Sequence, residues 1–378
     1  MSYHVHRFNF KPFIFLILTE TFYNMLYHLS LHLMQFSHLF NVVHYVTVRA
    51  IVSLLSSLVL SFILGNWFIA KSKILFRSKS RQFTPENHKA KDDMPTMGGI
   101  FILMVVFINT LLWCDLTDAR IWIFLFCLLG FGLIGFWDDW TKIKSRKGIS
   151  ARSKFILQCL VAGVTALLLI MTGVVDTTVS FPFFKNFQPD IGLLFIPWVI
   201  FILVGTSNAV NLTDGLDGLA IGSLMPNFAL FALLSYIAGH FGLAHYLQIP
   251  FTGSAEMAVM GSILVGASLG FLWYNAYPAQ IFMGDVGSLA LGAGLALMAM
   301  EAKQELLLPL AGGLFMLETV SVILQVFSYK YLGRRMFRMA PIHHHFELLG
   351  WPESKITVRF GIISLILCLL SVVTLKLR

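Results

Sequence analysis

Apolar runs alternate with polar connections along the whole chain, at residues 47–70, 97–113, 120–137, 155–174, 191–208, 218–240, 256–273, 286–300, 306–327 and 357–375. Each approaches the roughly 20 residues a helix needs to cross a bilayer. The pattern therefore predicts an all-α, polytopic membrane protein with about ten transmembrane helices. Long polar connections occur only at 71–96, 138–154 and 328–356, and no fixed-period repeat or low-complexity tract interrupts the chain. Residues 47–378 read as one ten-span domain. Residues 1–46 read as an N-terminal extension and interfacial segment: Phe13–Leu18 is apolar, but Glu20, Asn24, His28, His32 and His38 interrupt the stretch after it. That favours an amphipathic helix at the interface over an eleventh span. The segment has no small-residue cleavage site, and Met25 is an alternative start.

Composition sharpens this picture. Hydrophobic residues make up 57% of the 378 and charged residues 12%, half the ~25% of soluble domains; mean hydropathy is +0.78. These values exclude a disordered chain, a coiled coil and a nucleic-acid-binding module. Cys114, Cys127, Cys159 and Cys368 form no CxxC pair, which argues against a disulfide framework or a structural zinc site. The basic residues sort by loop. Eighteen Lys and Arg lie in the three long connections, whereas the opposite loops hold Arg120, Lys185 and Lys303, with Lys376 and Arg378 in the tail. The excess of positive charge places the three long loops in the cytoplasm.

The same loops gather the unusual polar residues. Asp138 and Asp139 close the third run, where the helix dipole disfavours anions; adjacent helical residues diverge, so at most one should face a given ligand. Their bland alternative is a solvated pair neutralised by Lys142 and Lys144. Asn208 and Asn211 precede Asp214 and Asp217 between the fifth and sixth runs. The three-residue spacing of Asn211, Asp214 and Asp217 puts them on one face of a helical start, and Gly215 and Gly218 would admit a ligand close to the backbone; ordinary N-capping is the alternative. Asp285 opens the eighth run as either an N-cap or a metal ligand, with Asn275 and Phe282 in the same loop. His343, His344 and His345 are consecutive, so their side chains diverge. Phosphate contact suits them better than zinc, although a merely hydrated loop is also open. Lys91 precedes Met94-Pro95-Thr96-Met97-Gly98-Gly99 and is available for an anion. Acids at the mouths of apolar spans are costly unless paired or bound to a cation. Carboxylates with cations and amides suit a phosphorylated substrate and Mg²⁺, which is usually held by one or two carboxylates together with substrate phosphates.

Met94–Gly99, the Asp138-Asp139 pair, Asn208–Asp217, Phe282–Asp285 and Met339–His345 occur in one order. Together they resemble the polyprenyl-phosphate N-acetylhexosamine-1-phosphate transferases from about Met25 to Arg378, and Glu347–Trp351 after the histidines favours the muramoyl-pentapeptide branch. The resemblance implies ten transmembrane helices, a homodimer in the bacterial inner membrane, a site facing the cytoplasm, and Mg²⁺-dependent transfer from UDP-MurNAc-pentapeptide to undecaprenyl phosphate. It implies that Asp285 binds Mg²⁺, with Asp138 the candidate second ligand. Asp138, alongside Asp139, would deprotonate or orient the lipid phosphate, and Phe282 would stack on uracil. Asn208, Asn211, Asp214, Asp217 and Asn275 would line the nucleotide and sugar pocket, and Lys91, Lys142 and His343–His345 would meet phosphates and sugar. Two rival readings stay open: transfer of GlcNAc-1-phosphate to the same lipid, and a lipid transporter or flippase.

Overall fold

The computed structural model describes residues 26–33, 38–76, 94–145, 147–182, 184 and 187–375. Residues 1–25, Lys91 and Lys185 therefore lie outside the described residues. Each of the ten apolar runs forms helix, and the described residues contain no β-strand, only isolated bridge residues such as the pair Thr178 and Asp190. In chain order the α-helices are α1 (Leu26–Leu33), α2 (Val46–Leu75), α3 (Gly98–Trp113), α4 (Ala119–Ser145), α5 (Ala151–Thr172), α6 (Phe195–Thr213) and α7 (Leu219–Ala238). They continue as α8 (Phe241–Leu247), α9 (Ala255–Asn275), α10 (Gly284–Glu301), α11 (Leu308–Ala311), α12 (Gly313–Leu332), α13 (Ile342–Glu347) and α14 (Glu353–Thr374).

Among the described residues, seven helices are long and apolar enough to cross a membrane, and the pair Glu305–Ala311 and Gly313–Leu332, bent by 77°, makes eight if it crosses as one span. The two remaining runs form α3, of 16 residues, and α10, of 18. Neither meets that measure of length and apolarity. The reason is visible for α10. It packs against α3, α4, α6 and α7, and every side chain from Val286 to Glu301 is buried. A helix enclosed by protein needs small residues for close packing more than it needs lipid-soluble ones. Its Gly- and Ala-rich sequence meets that need at the expense of hydropathy.

Of the N-terminal segment, the first described element packs against the bundle. Tyr27 and His28 of α1 are buried; the Tyr27 ring stacks on Arg49, whose guanidinium is 4.3 Å from the ring centroid. Arg49 in turn makes a two-pronged ion pair with Glu256 of α9, at 2.8 and 2.5 Å. This cluster ties α1, α2 and α9 together at the end of the bundle that also holds Asp115.

Candidate active site

The opposite end of the bundle assembles from four separate segments. The backbone of residues 95–99 runs beside residues 282–283: Phe282 N–H donates to the Pro95 carbonyl (2.9 Å), Gly98 N–H to Phe282 and Gly99 N–H to Met283 (both 2.8 Å). Met97 sits in the left-handed region at φ 64° to make this turn. A Cβ on Gly99 would lie 2.0 Å from the Gly287 nitrogen, and one on Gly135 would lie 2.2 Å from the Asp285 carbonyl oxygen. The glycines thus bring α3 and α4 into backbone contact with the first turn of α10, and that contact sets Asp285 beside the aspartates of α4.

The α4 aspartates are not at a helix end. The helix continues to Ser145, about two turns past Asp138, so the dipole penalty expected from the sequence is weaker. What neutralises the pair is Lys142, one turn on. Its Nζ lies 2.9 Å from Asp138 Oδ2, 3.0 Å from Asp139 Oδ1 and 2.9 Å from Asp285 Oδ2. The two adjacent carboxylates, expected to diverge, meet one ammonium because a long lysine side chain spans both. Lys154 of α5 adds a second cation, 3.1 Å from Asp138 Oδ2 and in contact with Asp285 Oδ2. Asp138 Oδ1 accepts from the Ile149 N–H at 2.8 Å, so both of its oxygens are committed. Asp139 Oδ2 faces the Val286 N–H.

Asn211, Asp214 and Asp217 do not share a helical face. Asn211 is in the last turn of α6, Asp214 caps that helix, and Gly218 at φ 75° turns the chain into α7. Asn211 donates to Asp285 Oδ1 (3.1 Å) and Ser288 Oγ (2.8 Å). The Asp214 carboxylate accepts from the Gly284 N–H, and its pKa is pushed up to about 8, first by withdrawal from water and then by the charges of Asp285 and Asp139. Asp217 turns the other way, accepting from the Ala279 N–H at 3.0 Å, while its own N–H donates to Glu353 (2.7 Å). Asn275 serves the same loop junction, donating to the Ile281 carbonyl and accepting from the Gly218 N–H. Asn208 pairs with Gln158 of α5 (2.8 Å). Phe282 is half-buried at the edge of the cluster.

The three histidines do not all diverge: the His343 and His344 rings lie 4.2 Å apart between centroids, tilted by 56°, although each has its own further partner. His343 is wholly buried, with Nδ1 3.2 Å from Glu318 of α12; burial pulls its imidazole below the usual histidine range, partly offset by the Glu318 carboxylate. His344 Nδ1 lies 2.8 Å from Glu347, and His345 Nδ1 accepts from the Arg338 N–H at 3.1 Å. Sequence reasoning counted Lys154 only as positive charge and passed over Glu318, although a carboxylate inside an otherwise apolar run is itself a signal.

The site therefore presents four aspartates against two lysines. Among the described residues, no three His, Cys, Asp or Glu side chains converge as a metal cage. The donor set is hard oxygen, and the carboxylates outnumber the lysines. That would suit a Mg²⁺ on the Oδ2 atoms of Asp285 and Asp138, in place of the lysine ammoniums that both atoms contact here, with substrate phosphates completing its coordination. It does not fit zinc.

The sequence model of Glycosyl transferase family 4 matches residues 121–303, the stretch carrying all four aspartates and both lysines. Relatives named phospho-N-acetylmuramoyl-pentapeptide-transferase match almost end to end. Those of Pelobacter propionicus and Citrifermentans bemidjiense are 51% identical over 361 and 358 residues, and that of Desulfatibacillum aliphaticivorans is 52% identical over 360. Each match covers 94% of this chain and 100% of the relative.

Proposed function

The chain belongs to the phospho-N-acetylmuramoyl-pentapeptide transferases, the membrane enzymes that form lipid I in peptidoglycan synthesis, and we propose that the aspartate–lysine cleft is where it performs that transfer. Membership removes the transporter reading and the GlcNAc-1-phosphate reading together. The observation that carries the proposal is the meeting of Asp138, Asp139 and Asp285 on Lys142.

The donor is UDP-MurNAc-pentapeptide and the acceptor undecaprenyl phosphate. An oxygen of the lipid phosphate attacks the β-phosphorus of the donor. The bond from that phosphorus to the bridging oxygen breaks, and UMP leaves with the electron pair. The lipid phosphate is already a nucleophile, so no covalent enzyme intermediate is needed. Both reactants are anions and repel each other. Lys142 and Lys154 offset that repulsion and stabilise charge on the leaving UMP. Asp285 and Asp138 would hold Mg²⁺, which when bound would supply Lewis-acid polarisation of the phosphoryl oxygens. Asp138, fixed by the Ile149 N–H, orients the lysines and the lipid phosphate; Asp139 and Asn211 hold the first turn of α10 and the Asp285 carboxylate in place. Phe282, Asp214 and the His344–His345 loop form the side of the cleft for nucleotide and sugar, with Lys91 an additional phosphate contact. The cleft faces the cytoplasm of a bacterial inner membrane, on the side of the three basic loops, and the enzyme works as a homodimer, as the family resemblance implies.

The test is UMP release from purified protein given undecaprenyl phosphate and Mg²⁺. UDP-MurNAc-pentapeptide should support it and UDP-GlcNAc should not, and chelation by EDTA should abolish it until Mg²⁺ is restored. Release that persists in excess EDTA would remove the metal from the reading. A phosphosugar adduct trapped on Asp285 without lipid acceptor would refute direct attack.

A further inference from the structure

Glu318 has no place in the cleft, yet it is one of the few carboxylates buried inside the bundle. It lies on the second turn of α12, just beyond the 77° bend, and is fully enclosed. A carboxylate enclosed in apolar surroundings is costly unless a partner satisfies it. Its neighbour is His343 Nδ1, 3.2 Å away and equally enclosed; the two stand at ion-pair distance without hydrogen-bond alignment, and neither side chain has a hydrogen-bond partner among the described residues. The opposite edge of the same imidazole meets the cleft wall: a Cβ on Gly215 would lie 2.3 Å from His343 Nε2. Gly215 directly follows Asp214, whose carboxylate is held at the first turn of α10. One ring thus spans from α12 to the turn that carries Asp214, and it can do so only because residue 215 lacks a side chain.

A carboxylate at one imidazole nitrogen selects the tautomer and the ring plane, and so fixes what the other nitrogen presents. We propose that Glu318 is a positioning residue for the transfer: its carboxylate, 3.2 Å from Nδ1, favours the proton on that nitrogen and holds the His343 ring with Nε2 against Gly215, and so sets where the Asp214 turn stands in the cleft. The role rests on the reading of the cleft as the transfer site and names a residue that touches no substrate. Glutamine at 318 keeps an acceptor oxygen in the same place without the charge, whereas leucine keeps the volume and removes the acceptor. The charged and titratable groups around His343 are Glu318 from α12 and His344 and Glu347 from its own helix, so the first substitution leaves the other two untouched.

The experiment compares the parent with Glu318→Gln, Glu318→Leu, His343→Asn and the Glu318→Leu/His343→Asn double variant. It measures kcat and KM for UMP release, the melting temperature, and the imidazole nitrogen spectrum of histidine-labelled protein, with the His343 signal identified by its loss in His343→Asn. Glu318→Leu should lower kcat roughly 10- to 100-fold, by analogy with the loss of a carboxylate that orients a metal-binding histidine. Glu318→Gln should stay near the parent, and the double variant should be no slower than His343→Asn alone. The His343 signal should report Nδ1–H in the parent and Glu318→Gln, and a changed tautomer in Glu318→Leu. An unchanged tautomer in Glu318→Leu would overturn the inference even if His343→Asn is inactive, as would additive losses in the double variant. Failure of the transfer reading itself is distinguishable, because the parent would then release no UMP.

Discussion

Substituting Gly135 by alanine tests whether backbone contact between α4 and α10 is what builds the site. The new Cβ would stand 2.2 Å from the Asp285 carbonyl oxygen, 2.4 Å from its carbon and 2.6 Å from the Val286 nitrogen. All three are backbone atoms, so no side chain can swing away. Ordinary contact begins near 3.4 Å, which leaves a shortfall of about 1.2 Å that must be made up by pushing the first turn of α10 outward. The 2.9 Å contact between Lys142 and Asp285 would stretch towards about 4 Å, where a charge-assisted hydrogen bond is lost. A displacement near 1 Å costs about 100-fold in a positioned reaction, or roughly 3 kcal/mol of barrier, while the overpacking itself costs about 1–3 kcal/mol of stability. The assay is the initial rate of UMP release with saturating donor and lipid acceptor, alongside the melting temperature in the same detergent. Gly222→Ala on α7 is the control, since no atom lies within 4 Å of its added Cβ; it should keep full turnover and gain up to about 1 kcal/mol from helix propensity. Parental turnover in Gly135→Ala would refute the argument that this close approach sets Asp285.

Asp138→Asn should lower turnover at least ~100-fold with little change in nucleotide affinity measured by calorimetry; near-parental turnover would remove Asp138 from the mechanism. At the far end of the bundle, Arg49→Met leaves the half-buried Glu256 without its cation, though still accepting from the Asp115 N–H, and should cost about 1–3 kcal/mol, less than for a fully buried pair, read as a lower melting temperature with unchanged turnover per folded molecule; the Arg49→Met/Glu256→Met pair should recover most of it. His343 gives a pH signature with a definite sign. Its folded pKa is lowered, so the unfolded chain takes up the proton first, and the contribution is complete above the ordinary histidine value near 6.5 and declines as pH falls below it. The parent should therefore lose melting temperature relative to His343→Asn between about pH 6.5 and 5, and an opposite trend would show the imidazole to be charged in the folded state.

Much of the architecture was legible in the chain. Helices form where apolar runs are long, because a backbone crossing lipid must satisfy its own hydrogen bonds, and each of the ten runs is helical. The bend after Ala311 was not visible as a break, since residues 306–327 read as one apolar run whose two glycines, Gly312 and Gly313, are common inside membrane helices. The end of α4 was misplaced for a related reason. Asp138 and Asp139 look like a terminus until Lys142 is seen to neutralise both, after which the helix can continue to Ser145. Asp217 and Asn275 carry the same motif signal as Asp214, yet their bonds to Ala279, Ile281 and Gly218 hold a loop junction. Spacing along a chain does not say which way a turn residue faces once glycine at φ 75° redirects it.

By itself the sequence determined the membrane class, the helical runs and the residue types of a phosphate-handling cleft. Those come from local hydropathy and from motifs that each lie within a dozen residues. Only the tertiary structure decided that Asp285 meets Asp138 and Asp139 across two lysines, that Asn211 and Asp214 join them while Asp217 does not, and that His343 is buried on Glu318. These contacts link residues more than a hundred positions apart in the case of Lys154 and Asp285. They depend on how closely α3, α4 and α6 approach α10, a distance set by glycines whose effect appears only when the facing backbone is known.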